Sequence, residues 1–595
     1  MTSKTLRIGG ASGFWGDAAL ATPQLLGADN LDYIVYDYLA EITMSILARA
    51  RAKSPDAGYA ADFISLALKP NLKEIADRGV RIISNAGGVN PRACGDAVRD
   101  LIGELGLGLK VAVVEGDDLT GRGGEIAEGR PVEMFTGEPF PDPDRIASIN
   151  AYLGAWPIAA ALAGGADIVI TGRCVDSAVT LGACIHAFDW TPEGLDELAG
   201  GSLAGHILEC GTQATGGNFT DWELVADGIE DMGYPIAEVA ADGSFVVTKP
   251  EGTGGAVTVG TVAEQMLYEI GDPQAYMLPD VVCDFSGVKL VRIAQNRVGV
   301  AGARGSAAPD TYKVCATYRD GFRGGHIFTF YGIDADRKAE RYAEAAIARA
   351  RLRLKSANAA DFTETSVEII GAESQFGPAR QIEGSREVAV KIAARHPDSA
   401  GIDILLREAT GLALSSPPGL SGFAGARPKP SPVVRLFSFD LPKSEVRISV
   451  CADGTDTPFA DNPGAPFDAA RIRRPIPPAM PDRAVDMVKV PLIALAWGRS
   501  GDKGDKANIG IIARDPDNLP YIWHALSEEV VAECFSHFLK GGVERYYLPG
   551  SNAINFVLND ALGGGGIASL RNDPQGKGYA QVLLTHPIKI PRALQ

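Results

Sequence analysis

Val80-Arg81-Ile82-Ile83-Ser84 runs straight into Asn85-Ala86-Gly87-Gly88-Val89-Asn90-Pro91. The first five residues are a short, mostly β-branched apolar run, the pattern of a strand buried on both faces. Beyond the loop, Ala93, Ala97, Val98, Leu101, Ile102 and Leu105 share one face of a helix. Pro91 stands near its start, where a missing N–H costs little. The same grammar recurs along the chain. Residues 6–8 end in Gly9-Gly10-Ala11-Ser12-Gly13, residues 110–114 in Glu115-Gly116-Asp117-Asp118, and residues 166–170 in Thr171-Gly172-Arg173. Alternating buried strands and helices predict an α/β class with right-handed crossovers and a mainly parallel sheet. The pattern fits an open doubly wound sheet and a closed barrel equally.

Beyond residue 190 the texture changes. Glycine-rich turns multiply at 216–217, 252–255, 302–305 and 324–325, and a charged helix is expected over 335–355. This predicts a second α+β lobe, so that a core of 1–452 divides into 1–190 and 191–452. Residues 453–487, with Pro475-Ile476-Pro477-Pro478, read as a proline-rich linker. Residues 488–595 read as a small α+β domain. Strands are expected at 490–497 and 508–513 around a glycine-rich loop, then a helix from a Ser527 cap to about 540, then strands at 553–558 and 580–584.

The chain has 595 residues, a net charge of −18, 46% hydrophobic and 22% charged residues. That is globular composition, and its length implies roughly two to four domains. The acidic balance argues against a nucleic-acid partner and against an anionic membrane surface. It leaves room for an anionic small molecule, because a local cluster of donors outweighs a distant field. The longest apolar stretch, around 156–163, is too short to cross a bilayer, and Met1 to Gly10 holds no signal-peptide core. Eight cysteines are scattered without a CxxC pair, and seven histidines are dispersed. Reduced thiols and a cytoplasmic location are expected, with no assigned metal ligands. No P-loop lysine signature, HExxH or GxSxG elbow occurs.

In parallel α/β folds ligands bind where the loops after the strands gather. That edge collects Ser12, Asp17, Asn85, Asn90, Asp117, Asp118, Arg173 and Asp176. Gly10, Ser12 and Gly13, with Asn85, Gly87 and Gly88, offer backbone N–H groups to an anion; the plainer reading is a set of tight strand-to-helix turns. Arg173 suits a carboxylate or phosphate and Asp176 a general base; the plainer reading is an internal i, i+3 ion pair. Glu209-Cys210-Gly211-Thr212-Gln213-Ala214-Thr215-Gly216-Gly217-Asn218-Phe219 is unusually dense in polar groups. Glu209 fits an acid or base there, and Asn218 an oxyanion donor. Lys249 with Gly252, Gly254 and Gly255 precedes an expected helix and suits a phosphate or the diphosphate of CoA. Arg499 and Lys503 in the C-terminal loop suit an anionic group, or else belong to a solvated hairpin. Cys174 and Cys184 read as core thiols.

Together, Gly9-Gly10-Ala11-Ser12-Gly13-Phe14-Trp15-Gly16-Asp17, the 85–91 string, the 209–219 string and Lys249-Pro250-Glu251-Gly252-Thr253-Gly254-Gly255 resemble the acyclic terpene utilisation (AtuA) family. Arg499-Ser500-Gly501-Asp502-Lys503-Gly504-Asp505 is similar to the ferredoxin-fold domain often attached to it. The resemblance implies breakdown of citronellol- and geraniol-type acids through CoA thioesters, beside carboxylase, hydratase and lyase steps. On that footing a cytosolic enzyme is expected, with an acyl-CoA or branched acid as substrate; no cofactor is assigned, and a divalent metal stays open. Glu209 and Asp176 are its acid–base candidates, and Arg173 and Asn218 orient or stabilise an enolate. A homo-oligomer is expected. Two rivals stand: a non-catalytic CoA-ester-binding or assembly subunit, and a divalent-metal hydrolase using Asp117, Asp118 and Asp176.

Overall fold

The computed structural model describes residues 5–17, 19–422, 428–481 and 486–594. Five parallel strands form its centre, in the spatial order Thr5–Gly10, Tyr33–Tyr36, Arg81–Ser84, Ile168–Thr171, Val111–Glu115. Successive strand residues face opposite sides. Tyr33, Val35, Ile83, Ala112, Val114 and Val169 enter one apolar cluster with the helices Trp156–Ala163, Ala178–Phe188, Leu195–Leu208 and Val259–Leu267. Ile34, Tyr36, Ile82, Val113, Ile168 and Ile170 enter another with the helices Glu41–Arg51 and Pro91–Leu105. Burial on both faces is why these strands read as unbroken apolar runs.

The sheet is mixed, which corrects the expectation of a mainly parallel one. Ile236–Ala240, Phe245–Thr248, Arg297–Ala301 and Lys289–Ala294 extend it antiparallel beyond Thr5–Gly10, and Ile448–Ala452 and Thr455–Phe459 extend it beyond Val111–Glu115. Antiparallel partners need only short hairpins, so they add to the rims of a parallel core without crossover helices. The sheet is therefore open, and strands from both sides of residue 190 share it.

A second sheet is built on Thr311–Tyr331, a strand of 21 residues. It pairs with Glu387–His396, Ser431–Pro442 and Ile146–Ala151. Gly324 and Gly325 lie inside this strand and not at a turn; a Cβ on Gly325 would sit 2.6 Å from the Ile392 carbonyl oxygen. The helix Ala335–Ser356 covers the sheet with Ala339, Tyr342, Ala343, Ala346 and Ala350. The proline-rich stretch is fastened to the core: Thr455–Phe459 is a sheet strand, the Tyr312 hydroxyl donates to Asp461, and Arg474 pairs with Asp272 at 2.5 Å. Its residues 482–485 lie outside the described residues. No helix among the described residues is long and apolar enough to cross a membrane.

The C-terminal unit is an antiparallel sheet in the order Ala496–Lys503, Lys506–Ala513, Ala553–Leu558, Val543–Leu548. The expected strand at 490–497 is broken by a turn at Leu492–Ala494. Residues 498–506, for which a hairpin was the plainer of the two readings, form a tight hairpin with Gly504 at φ +66°. Residues 580–584 fall in a short helix, Tyr579–Leu583, where Tyr579 and Leu583 fill the domain core. Ser527 does cap a helix, accepting from the Val530 N–H at 3.3 Å, but that helix stops at Cys534.

One face of this sheet packs on its own helices through Ile509, Ile511, Phe556 and Leu558, while Ile512 and Ala553 enter the main core. The join is polar at its centre. The Asn508 amide donates to the Leu267 carbonyl at 2.6 Å, and its oxygen accepts from the Glu269 N–H at 2.9 Å. The Asn555 amide donates to the Ile270 and Gly271 carbonyls at 2.8 and 2.7 Å. Gly510 lets the helix end come close, since a Cβ there would lie 2.6 Å from Leu267 Cβ. Asn508→Ala strands buried partners on both sides, at about 1–3 kcal/mol for each group left unmatched. The expected outcome is a stability loss of about 2 kcal/mol or more, measured by urea unfolding.

Candidate functional site

The carboxyl ends of the parallel strands deliver a set of polar side chains to one edge. Asp37 follows Tyr36, Asn85 follows Ser84, and Arg173 follows Thr171-Gly172. The Asn85 amide donates to Asp37 Oδ1, and its oxygen accepts from the Tyr38 N–H at 2.8 Å. Ser12 Oγ donates to the Asp37 carbonyl at 2.9 Å. Burial, then the charges of Asp176 and Glu209, push the Asp37 carboxyl well above the usual range. Arg173 is 3% exposed. Its guanidinium donates to the Leu39 carbonyl at 2.6 Å and to Asp176 Oδ1 at 2.9 Å, and lies 4.2 Å from the Tyr152 ring centre. Its Nε has no acceptor among the described residues. Tyr152 donates to Glu41 at 2.6 Å. Burial alone would raise Glu41, but Lys313 and Arg173 outweigh it and hold the carboxyl at about 2. A cavity of about 10 Å³, lined by Glu41, Ser148, Asn150, Tyr152, Arg173 and Thr317, leaves space for one water.

The end of the Leu195–Leu208 helix forms a second wall. His206, 2% exposed, places Nδ1 2.9 Å from Glu209 Oε1. Burial raises the Glu209 carboxyl above its ordinary value, with Asp176 adding and with His206 and Lys503 opposing. Burial also pushes the Cys210 thiol up, so it carries no ready thiolate.

The C-terminal hairpin supplies the third wall. Lys503 sets its ammonium 5.8 Å from the Tyr276 ring centre. Burial would lower its pKa; Tyr276, Glu269, Asp176 and Glu209 together outweigh that and raise it. Lys577 donates to Glu269 at 3.1 Å, to Asp502 at 3.3 Å and to the Tyr268 hydroxyl. Burial, with the Glu269 charge, lifts Asp502 to about 7. Glu269 itself sits at φ +58°, held there by the Asn508 bond. Arg499 lies 4.8 Å from the Tyr268 ring centre and donates to the Asn218 carbonyl at 2.8 Å; burial lowers its pKa.

Arg173, Asp176, Glu209 and Lys503 thus act on one another electrostatically although they lie far apart in the chain.

 The residues that join the cluster without having been singled out from sequence are Asp37, Glu41, His206, Tyr276, Glu269, Asp502 and Lys577. Asp37 had a signal, since it ends the apolar run 33–36; His206 had one too, at i, i+3 from Glu209.

Other candidates are engaged elsewhere. Asn218 is exposed at φ +59°; its carbonyl meets Arg499, while its amide donates to Gln213 at 3.4 Å. Gly10 and Gly13 stand where backbones pass closely: a Cβ would lie 2.5 Å from the Leu208 carbonyl oxygen and 2.8 Å from the Cys210 carbonyl carbon. Gly87 abuts Pro91, and Gly88, at φ +56°, abuts the Gly58 carbonyl. Gly254 packs on Gly228, Gly255 on Thr215 and Met232, and Gly252 faces open space at φ +77°. The Lys249 ammonium donates to the Thr253 carbonyl and hydroxyl. Asp17 accepts from the Gly13 N–H at 3.1 Å and from Tyr234.

The three aspartates of the metal reading are separately occupied. Asp117 accepts from the Arg173 N–H and the Asn150 amide, both at 2.9 Å; Asp118 pairs with Arg51 at 2.9 Å; Asp176 pairs with Arg173. No group of three or more metal-ligating His, Cys, Asp or Glu side chains is assembled among the described residues. Burial lifts Asp117 to about 7. A carboxyl raised on folding stabilises the fold below its unfolded pKa, and that contribution is lost as pH rises through the folded value. Asp117→Asn removes this loss while keeping the shape. The Tm difference, variant minus wild type, is therefore expected to be more positive at about pH 8.5 than at about pH 5.5, by the equivalent of a few kcal/mol at most. Thermal melts followed by circular dichroism read it.

Residues 490–589 match the AtuA ferredoxin-like domain. No curated protein and no solved structure matches the chain. Residues 6–452, which span all five parallel strands and the Glu209 loop, match the family described as acyclic terpene utilisation family protein AtuA, and the chain belongs to that family.

Proposed function

We propose that the chain is an acid–base enzyme that adds water to, or cleaves, the CoA thioester of an acyclic terpenoid or related branched acid in the cytoplasm. One observation carries the reading: Glu209, a carboxyl only 9% exposed and raised above its ordinary range, interacts electrostatically with Asp176 and with Lys503, which the C-terminal unit supplies. Acid–base catalysis needs one group that keeps its proton near neutrality and another that is ionised. Glu209, whose carboxyl burial raises, is the proposed acid, and Asp176, paired with Arg173, the proposed base. In a hydration, Asp176 takes a proton from water as its oxygen bonds to the β-carbon. The electron pair moves to the thioester oxygen, where the Lys503 ammonium stabilises it, and Glu209 returns a proton to the α-carbon. Membership of a family described by acyclic terpene utilisation supports the terpenoid part of this reading.

The test incubates the pure chain with branched enoyl- and hydroxyacyl-CoA esters and follows product mass. Glu209→Gln and Asp176→Asn are each expected to lower kcat/KM by about 100-fold or more with unchanged melting. A folded wild type inert across the panel overturns the reading and favours a non-catalytic CoA-ester-binding or assembly subunit.

Lys503 also sets a pH dependence. Its charge favours the Glu209 carboxylate, so Lys503→Met raises the Glu209 pKa further. A rate that needs protonated Glu209 then persists to higher pH. The expected result is a lower kcat and an alkaline limb of kcat/KM moved upward, read between about pH 5 and 9.

A further inference from the structure

The strands Met487–Pro491 and Pro587–Pro591 form a two-stranded ribbon in which Lys489 lies directly opposite Lys589. Val490, Ile588 and Ile590 point into the domain core, while Met487, Lys489, Pro587 and Lys589 face outward. The helix Leu519–Ala525 runs beside this outer face and presents Tyr521, His524 and Ala525 to it. Met480 and Pro481 close a further side, near the point where His524 Nε2 meets the Pro478 carbonyl at 3.0 Å. The result is a cavity of about 410 Å³, within the range of small-molecule sites.

Its chemistry is one-sided. Met480, Pro481, Met487, Tyr521, Ala525 and Pro587 supply apolar surface, and Met480 is 70% exposed. Among the described residues the charged lining groups are Lys489 and Lys589, beside His524 and His586, and no carboxylate lines the cavity. Like charges directly opposed across an antiparallel pair repel. Among the described residues no carboxylate pairs with either ammonium, and Asp486, at the end of the ribbon, is taken by Arg592 at 2.8 Å. An anion set between the two lysines turns that repulsion into two attractions, and a hydrocarbon tail removes the methionines from water.

We propose that this cavity binds a small amphipathic carboxylate, its head between Lys489 and Lys589 and its tail along Met480, Met487 and Tyr521. The site shares no residue with the Glu209 cleft, so it stands whether or not that cleft is catalytic.

The experiment is calorimetric titration of the full chain with octanoate, decanoate, decanol and decylamine. Decanoate is expected to bind about tenfold tighter than octanoate, from two added methylenes, and decylamine not at all. The exposed pair Lys489→Gln/Lys589→Gln is expected to weaken decanoate at least tenfold without changing decanol. Ala525→Trp, which fills the cavity, is expected to weaken both. Equal binding of decanoate and decylamine, or full decanoate affinity in both variants, overturns the proposal. So does a decanoate signal lost only in Glu209→Gln.

Discussion

Two buried asparagine side chains hold the molecule's working parts in register. A helix end leaves carbonyl groups without intrahelical partners, and burying them unmatched is costly. After Val259–Leu267 the partners come from the other structural unit, through the amides of Asn508 and Asn555. Both asparagines also bond each other, at 3.0 Å, so neither side chain turns without breaking several bonds. This fixes the hairpin on the core, and with it the position of Lys503 opposite Tyr276 and of Lys577 against Glu269. Glu269 follows from the same constraint: its left-handed backbone is sustained because its N–H is bound by Asn508.

Once that geometry is set, charge governs the rest. Carboxylates buried near one another cannot all ionise unless cations share the space. Arg173, Lys313, Lys503 and Lys577 share it unevenly. Glu41 falls under Lys313 and Arg173 and stays ionised; Glu269 falls under Lys577 and Lys503 and is lowered. Asp37 has a hydrogen-bond donor in Asn85 but only distant cationic help, and is raised; Glu209, deeper than Asp176, is raised too. Raised and lowered carboxyls therefore coexist within one cluster, through burial and cation placement and not through residue type.

Four of the five parallel strands were readable because strands buried on both faces leave unbroken apolar runs, and their strand-end loops follow from them; Tyr33–Tyr36, a run of only four residues with no glycine after it, was missed. The antiparallel rims were not, because Ile236–Ala240 and Arg297–Ala301 belong to hairpins whose connections, around Gly243 and at Gln295-Asn296, look like plain turns. Gly324 and Gly325 misled for a related reason: glycine serves a close approach inside a strand as well as a bend. Glu209, Arg173 and Asp176 stood out as polar residues crowded at loops. Glu41 and Glu269 had no such mark, since each lies alone in its segment and gains meaning only from partners hundreds of residues away, as Lys313 and Lys577 are. The Arg499–Lys503 segment was legible in its residue types, while its conformation stayed open, because a tight hairpin and a glycine-rich loop share composition.

The cleft's dependence on Lys503 and Lys577 has a consequence for biosynthesis. During translation the amino-terminal sheet emerges and collapses first, yet its clustered acids then lack the cations that complete their neutralisation. Until residues 503 and 577 have been made, Glu209 lacks the Lys503 charge and Glu269 lacks both lysines. Assembly of the cleft is thus among the last events in the making of the protein, and a chain truncated before the hairpin holds a sheet without a finished site.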